Sequence, residues 1–226
     1  MRKWLCCLLL LPGWLRADTL LFRDDFRQGG AQWQAEARDL TQTFQDGGMV
    51  LANKSGMTVW FRERLTAPVT IRYTAKVLST GRVSDLNCFW MATDPAQLEG
   101  KPFGAGRDGT FAAYDTLRTY YVGYGGNSNT TTRFRRYAGT GARPLLPEHD
   151  RSAPEFLLRP DHAYHITLTA DTDGRVQFIR DGKVVFDWVD PEPLRSGWFG
   201  FRSVDSRIEI RDFSVHAGVP PTATAR

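Results

Sequence analysis

The sequence predicts an all-β chain, an antiparallel β-sandwich, and three observations carry that prediction. The 3.6-residue apolar periodicity of an amphipathic helix is hard to find anywhere in it. About a dozen short runs rich in β-branched and aromatic residues recur instead. Gly, Pro, Asn and Asp punctuate those runs, the residues that turns demand.

Taken in order, residues 20–26 open the sandwich, and 49–52 follow the turn signal Asp46-Gly47-Gly48. Residues 58–65 and 70–78 come next. Residues 85–92, 117–124 and 132–137 form the middle of the chain. Residues 163–170 precede a hairpin of 176–180 and 183–189 around Asp181-Gly182, a pair that supplies positive φ. Residues 197–202 and 208–216 close the set. The stretch 138–159 carries three prolines and reads as a surface loop. The expected organisation is a signal peptide over 1–17, one β-sandwich domain over 18–217 and a disordered tail over 218–226.

The leader has Met1-Arg2-Lys3, an apolar run from Trp4 to Leu11 and Ala17 before Asp18, the layout of a secretory signal. That predicts a periplasmic or secreted protein with no membrane span, because the run is too short to cross a bilayer. Removing Arg2, Lys3 and Arg16 from 29 basic residues leaves 26 against 25 acids. So balanced a chain lacks the basic surface a nucleic acid requires, and no nucleic-acid partner is expected. Only Cys88 would remain after cleavage, so the core must hold without an internal disulfide.

Residues 114–137 concentrate the chemistry: five tyrosines, four arginines and the turn Gly125-Gly126-Asn127-Ser128-Asn129. Alternation places Phe134 in the core and Arg133, Arg135 and Tyr137 together on the other face. Leu117 and Tyr121 are expected inward, with Arg118, Tyr120 and Tyr124 outward. Phe199 and Phe201 are expected inward, with Trp198 and Arg202 outward. Leu86, Cys88 and Trp90 share one face, and Asp85, Asn87, Phe89 and Met91 the other. If the outward sets share one sheet, they line a groove of Arg, Tyr, Trp and Asn.

Two end motifs, Phe22-Arg23-Asp24-Asp25-Phe26 with Trp33, and Gly197-Trp198-Phe199-Gly200-Phe201-Arg202 with Ile210-Arg211-Asp212-Phe213, resemble the ends of a concanavalin A-like jelly roll. That resemblance implies first and last strands side by side. Thr58-Val59-Trp60-Phe61, Asp85-Leu86-Asn87-Cys88-Phe89-Trp90, and Gly125-Gly126-Asn127 with Thr131-Thr132-Arg133-Phe134-Arg135-Arg136-Tyr137 resemble a bacterial family of secreted domains of unknown function. That family neighbours a jelly-roll group associated with rhamnogalacturonan breakdown. The resemblance implies a carbohydrate context and brings no catalytic set with it.

Aromatic rings beside guanidinium forks suit a polysaccharide or oligosaccharide partner bearing carboxylates. A hydrolytic carboxylate pair at a defined separation is missing: Asp24 and Asp25 are adjacent and point to opposite faces. β-Elimination by a lyase needs the carboxylate neutralised and a proton-exchanging pair beside it. Arg133 or Arg135 with Asn87 or Asn127 would neutralise. Tyr120, Tyr124 or Tyr137, with His149, would exchange protons. Asn129, Arg202 and Trp198 would add substrate contacts. Two alternatives stand beside the lyase, a non-catalytic glycan-binding module and a 3-keto-glycoside hydrolase. His149, His162, His165 and His216 lack metal-ligand spacing, so no metal or other cofactor is expected.

Overall fold

The computed structural model describes residues 19–219, so the expected leader 1–17 lies outside the described residues. The expected tail from residue 220 onward does too. Gly218 is tied back, donating its N–H to Pro68 O and accepting from Thr70 Oγ1 at 2.7 Å.

The strands among the described residues are β1 (Thr19–Asp24), β2 (Trp33–Ala37), β3 (Thr41–Gln45), β4 (Gly48–Ala52), β5 (Met57–Phe61), β6 (Leu65–Thr66), β7 (Val69–Val77), β8 (Asn87–Thr93), β9 (Arg118–Gly125), β10 (Thr131–Ala138), β11 (Asp150–Arg151), β12 (Tyr164–Ala170), β13 (Arg175–Arg180), β14 (Lys183–Val189), β15 (Ser196–Ser203) and β16 (Arg207–Ala217). One sheet runs β14-β13-β12-β7-β16-β4-β3, with β1 also on β16. The other runs β11-β10-β9-β8-β15-β5-β2, with β6 also on β15. The pairings are antiparallel, and β1 lies along β16 from Thr19↔Ala217 to Asp24↔Phe213. First and last strands are therefore neighbours, and the chain is an all-β jelly-roll sandwich.

The inner faces meet in an aromatic core. Trp33 packs on Phe213, Phe201 and Phe61 with ring centroids 4.9, 5.2 and 5.4 Å away. Phe199 and Phe201 point into it as alternation requires. Asp24 pins the corner beneath, accepting the Trp33 indole N–H at 2.8 Å and the Phe26 N–H at 2.7 Å. Full burial of each such side chain contributes roughly 1.5–3 kcal/mol.

A second apolar cluster lies on the other face of the β8–β9–β15 sheet. Trp60, Phe89, Leu117, Tyr121, Tyr137 and Trp198 are buried there beneath Phe103, Phe111 and Tyr114. The covering residues come from the segment 94–116, which folds across the sheet. Asp94 and Arg107 form a buried ion pair within it. Arg107 also donates to the carbonyls of Ala113 and Pro102, both at 2.8 Å.

This second cluster explains the main correction. Tyr120 and Tyr124, expected outward, point between the sheets with Val122, while Leu117 and Tyr121 face the covered groove. Strand β9 is buried on both faces, so alternation of polarity could not say which apolar set belongs to which core. Met91 also departs from its expected face. A bulge between Trp90 and Thr93 gives Met91 a φ of 53° and turns it into the main core. Strands β2 and β3 are not expected from the sequence: WQAEA carries one strand-favouring residue, and TQTFQ, though it has two Thr and a Phe, has only one apolar side chain to declare a core face. Pairing with β5 and β4 decides them. The expected loop 138–159 contains the short β11, which pairs with Thr132 and Arg133 at the sheet edge.

Candidate glycan-binding site

Strands β8, β9, β10 and β15 are consecutive in one sheet, so the outward sets do share a face. The 94–116 segment covers most of it and leaves one pocket of about 450 Å³ at the side of the left-handed turn. That volume falls within the usual range for small-ligand sites, roughly 300–1,000 Å³. Asn87 from β8, Tyr121 from β9, Arg133 and Arg135 from β10 and Arg202 from β15 line it, with Phe111 from the cover. Asn127 stands at its rim. There the backbone makes a tight left-handed turn, with φ of 53°, 59° and 61° at Asn127, Ser128 and Asn129. Such backbone costs on the order of 1–2 kcal/mol per non-glycine residue.

Five arginines line the pocket, and carboxylates neutralise three of them. Arg82 donates to Asp85 at 2.7 Å, to Ser128 Oγ at 3.1 Å and to Val204 O at 2.9 Å. Arg133 forks onto Asp150 at 2.9 and 3.0 Å, and Arg143 forks onto Asp115 at 2.6 and 2.7 Å. Among the described residues Arg135 hydrogen-bonds carbonyls alone, Arg143 O at 2.5 Å and Pro144 O at 3.3 Å.

Arg202 differs from the rest. It is 2% exposed, and no carboxylate among the described residues forms an ion pair with it. Its Nη1 donates to Thr58 Oγ1 at 3.2 Å and Gly109 O at 3.0 Å. The guanidinium lies 4.7 Å from the Phe111 ring centroid and 4.9 Å from that of Tyr114. Burial lowers its pKa, and the neighbouring Tyr121 and Tyr114 phenols and, out of ion-pair contact, the Asp85 carboxylate oppose that shift. A cation this deep normally has a directly bonded counter-charge, and Arg202 has none among the described residues, its nearest carboxylate influence being Asp85, which Arg82 already holds. Beside it, Asn87 donates to Asp85 Oδ1 at 3.2 Å, while its own Oδ1 is buried without a partner.

The structure thus brings together Asn87, Asn127, Arg133, Arg135 and Arg202, and it separates the rest. The Tyr120 hydroxyl donates to Asp190 at 2.7 Å and accepts from Leu194 N at 3.0 Å, between the sheets. Tyr124 accepts from Arg180 at 3.1 Å, also in the interior. Burial raises the pKa of both phenols. Tyr137 shares the groove face but is wholly buried beneath it, its phenol pushed up to about 12 by burial. His149 packs edge-on against Phe134 at 4.8 Å and lines a separate apolar cavity with Leu146 and Trp188. Burial lowers its pKa. Asn129 clasps Leu158, accepting its N–H at 2.8 Å and donating to its carbonyl at 2.9 Å. Trp198 is buried in the second cluster and donates to Arg62 O. The four expected proton-exchanging groups do not meet in one place.

Sequence reading missed Arg82, Phe111 and Arg143 as lining residues. They come from turns and the cover, where no periodicity marks a face, and only the folding of remote loops brings them to the pocket.

Residues 51–213 match DUF6250, a domain of unknown function. The chain belongs to the DUF6250 family. Among solved structures, this DUF6250 chain is similar to a Bacillus subtilis protein of unknown function with a galectin-like fold. That likeness has a TM-score of 0.68 and 20% identity, covering 90% of this chain and 98% of the other. It is also similar to the carbohydrate binding module CBM66 from Bacillus subtilis, with a TM-score of 0.57 and 12% identity over 82% and 96% of the two chains. A prokaryotic β-1,3-1,4-glucanase (lichenase) from a mouse hindgut metagenome has a TM-score of 0.57 and 12% identity over 88% and 99%. At these identities the likeness establishes the fold. No curated protein matches the chain.

Proposed function

We propose that this is an exported glycan-binding protein whose pocket takes a carboxylated sugar, a uronate residue of an acidic polysaccharide. The carrying observation is Arg202, a buried guanidinium at the pocket floor with no ion-pair partner among the described residues. A ligand carboxylate there would supply the direct ion pair that Arg202 lacks, through a charge-assisted contact worth roughly 1.5–3 kcal/mol. Arg135 adds a second guanidinium with no ion-pair partner among the described residues. The unpartnered Asn87 oxygen would gain a partner from a sugar hydroxyl reaching the floor, and Phe111 and Tyr121 add apolar edges to a lining that is otherwise polar. Fold neighbours that include a carbohydrate binding module and a glucanase support the carbohydrate context. The leader over residues 1–17 supports export.

Binding is favoured over β-elimination. A lyase needs a base beside the carboxylate, and Arg82, Ser84 and Asn87 already hold Asp85. Burial raises the Tyr121 phenol well above its ordinary pKa, so at neutral pH it can donate a proton but not remove one.

The test is a binding panel of pectic, alginate, glucuronan and ulvan polymers alongside their carboxyl-reduced forms, with product absorbance followed in parallel. Binding is expected to the acidic forms alone. Arg202→Met should weaken it roughly ten- to a hundredfold. Arg202→Met relieves a buried charge but leaves Gly109 O and Thr58 Oγ1 without their donor, so a stability loss of about 1–3 kcal/mol is expected and binding is measured on folded protein well below its denaturation midpoint. Equal binding of reduced polymers, or an unchanged Arg202→Met, would overturn the proposal. Unsaturated products would restore the lyase.

A further inference from the structure

Arg82 is a wall between two depressions. On one side lies the pocket just described; on the other is a polar trough of about 420 Å³. The two are contiguous along the chain as well. Ser55 lines the pocket and Lys54 the trough, and Val204 lines the pocket while Asp205 lines the trough. The sill between them is rigid, because Arg82 donates to Asp85, Ser128, Val204 O and, at 3.4 Å, Asp205 O.

The trough carries its own unsatisfied groups. Asn53 lines it and is 8% exposed. Its Oδ1 accepts the Gly56 N–H at 2.9 Å, while its Nδ2 is buried with no partner. Lys54 and Arg207 line it too, and neither forms an ion pair among the described residues. Asp39 is occupied, accepting from Lys54 N and Ser55 N at 3.0 and 3.1 Å. Asp205 also lines the trough and pairs with Arg82 at 3.5 Å, which leaves a buried amide donor beside Lys54 and Arg207, groups that suit sugar hydroxyls and a further carboxylate. The trough has no aromatic lining, so it would recognise its ligand by hydrogen bonds and charge rather than by stacking.

The far wall of the pocket is closed. Arg143 stacks on Phe111 at 4.4 Å and is anchored to Asp115, and the 94–116 cover lies across the sheet beyond. A chain in the pocket therefore cannot continue under the cover, and Arg82 is the side on which the pocket adjoins a second depression.

We infer that the trough is a second subsite of one end-on groove: the terminal uronate occupies the pocket, and the next sugar, itself acidic, lies across Arg82 against Asn53, Lys54 and Arg207. This inference rests on the acidic-glycan reading above.

Size-fractionated uronate oligosaccharides of one to four sugars, prepared from pectate, alginate and glucuronan, provide the test when titrated calorimetrically at fixed salt. For the series that binds, affinity should rise about tenfold from one sugar to two, the gain from a single charge-assisted contact. Stoichiometry should stay at one protein per chain at every length. The double variant Lys54→Ala/Arg207→Ala, altered at exposed positions, should lose that tenfold gain and keep the affinity for the single sugar within twofold. Equal affinity at all lengths, or an equal loss for one sugar and two, would overturn the second subsite while leaving the pocket standing. Several proteins bound per longer chain would overturn the end-on arrangement. Absence of binding at every length and in every series would overturn this inference together with the reading it rests on.

Discussion

Arg133 and Arg202 share a sheet face but not a condition. Arg133 is half-buried and neutralised by Asp150, which raises its own pKa and lowers that of the acid. Such a partly exposed pair adds little stability and mainly fixes the pocket wall. Arg202 is buried without that partner, which makes it the residue on which ligand charge acts. Glu36 is the opposite case, a carboxyl buried under the cover that accepts the Trp60 indole N–H at 3.0 Å. Burial raises its pKa above 4.5, against the opposing pull of Trp60 and Arg107. A raised carboxyl pKa means that the folded state prefers the protonated form. Its stabilising contribution is therefore complete below pH 4.5 and is lost as pH rises through the folded-state pKa. Glu36→Gln keeps an acceptor for Trp60 and removes the titration. Its urea midpoint should match the wild type near pH 4 and exceed it increasingly toward neutral pH. A difference that does not change with pH would mean that Glu36 titrates normally.

At the scale of elements, the 94–116 cover decides the shape of the site. It is held where two glycines meet: a Cβ on Gly109 would lie 2.2 Å from Gly56 O and 3.0 Å from Glu36 O, at a φ of +85°. Both obstacles are backbone atoms and cannot move cheaply. Gly109→Ala is expected to cost on the order of 1–3 kcal/mol and to loosen the cover. Limited proteolysis should then cut within 94–116, and tryptophan emission should shift red as Trp60 and Trp198 gain water. Gly104→Ala is the control, with a comparable φ of +84° but nothing within 4 Å of the added carbon. Equal protease sensitivity in the two variants would show backbone strain, not the Gly56 contact, to be what matters. The same cover is why β9 was misread. A strand with one solvated face declares it by polarity, whereas β9 packs on the main core with one face and on Phe111 and Tyr114 with the other.

For the whole molecule, the described sandwich is held by its core, with no cross-link between its sheets. Cys88 is a free thiol within it, fully buried, with burial pushing its pKa up to about 12. A thiol held neutral and away from solvent reacts only when the structure opens. Peptide-resolved labelling of Cys88 along a denaturant series should therefore share its midpoint with the loss of tryptophan fluorescence. Labelling at clearly lower denaturant would reveal a partial opening of the β8–β15 region ahead of global unfolding. No helix among the described residues is long and apolar enough to cross a membrane.

The sequence by itself determined the all-β class, most strands, the inward Phe199 and Phe201, and the outward Arg133, Arg135, Arg202 and Asn87. Each follows from a local rule: turn residues mark the ends of strands, and alternation assigns faces wherever polar or small residues hold one of them, as Arg133 and Arg135 do in β10 and Gly200 and Arg202 in β15. Tertiary structure alone decided that Tyr120 and Tyr124 belong to the interior and Tyr121 to the pocket. It also decided that Asn129 serves the Leu158 contact, and that Arg82, Phe111 and Arg143 complete the site. Those outcomes depend on where a remote segment lies. A covering loop turns a solvated sheet face into a second core, and local polarity carries no record of that contact.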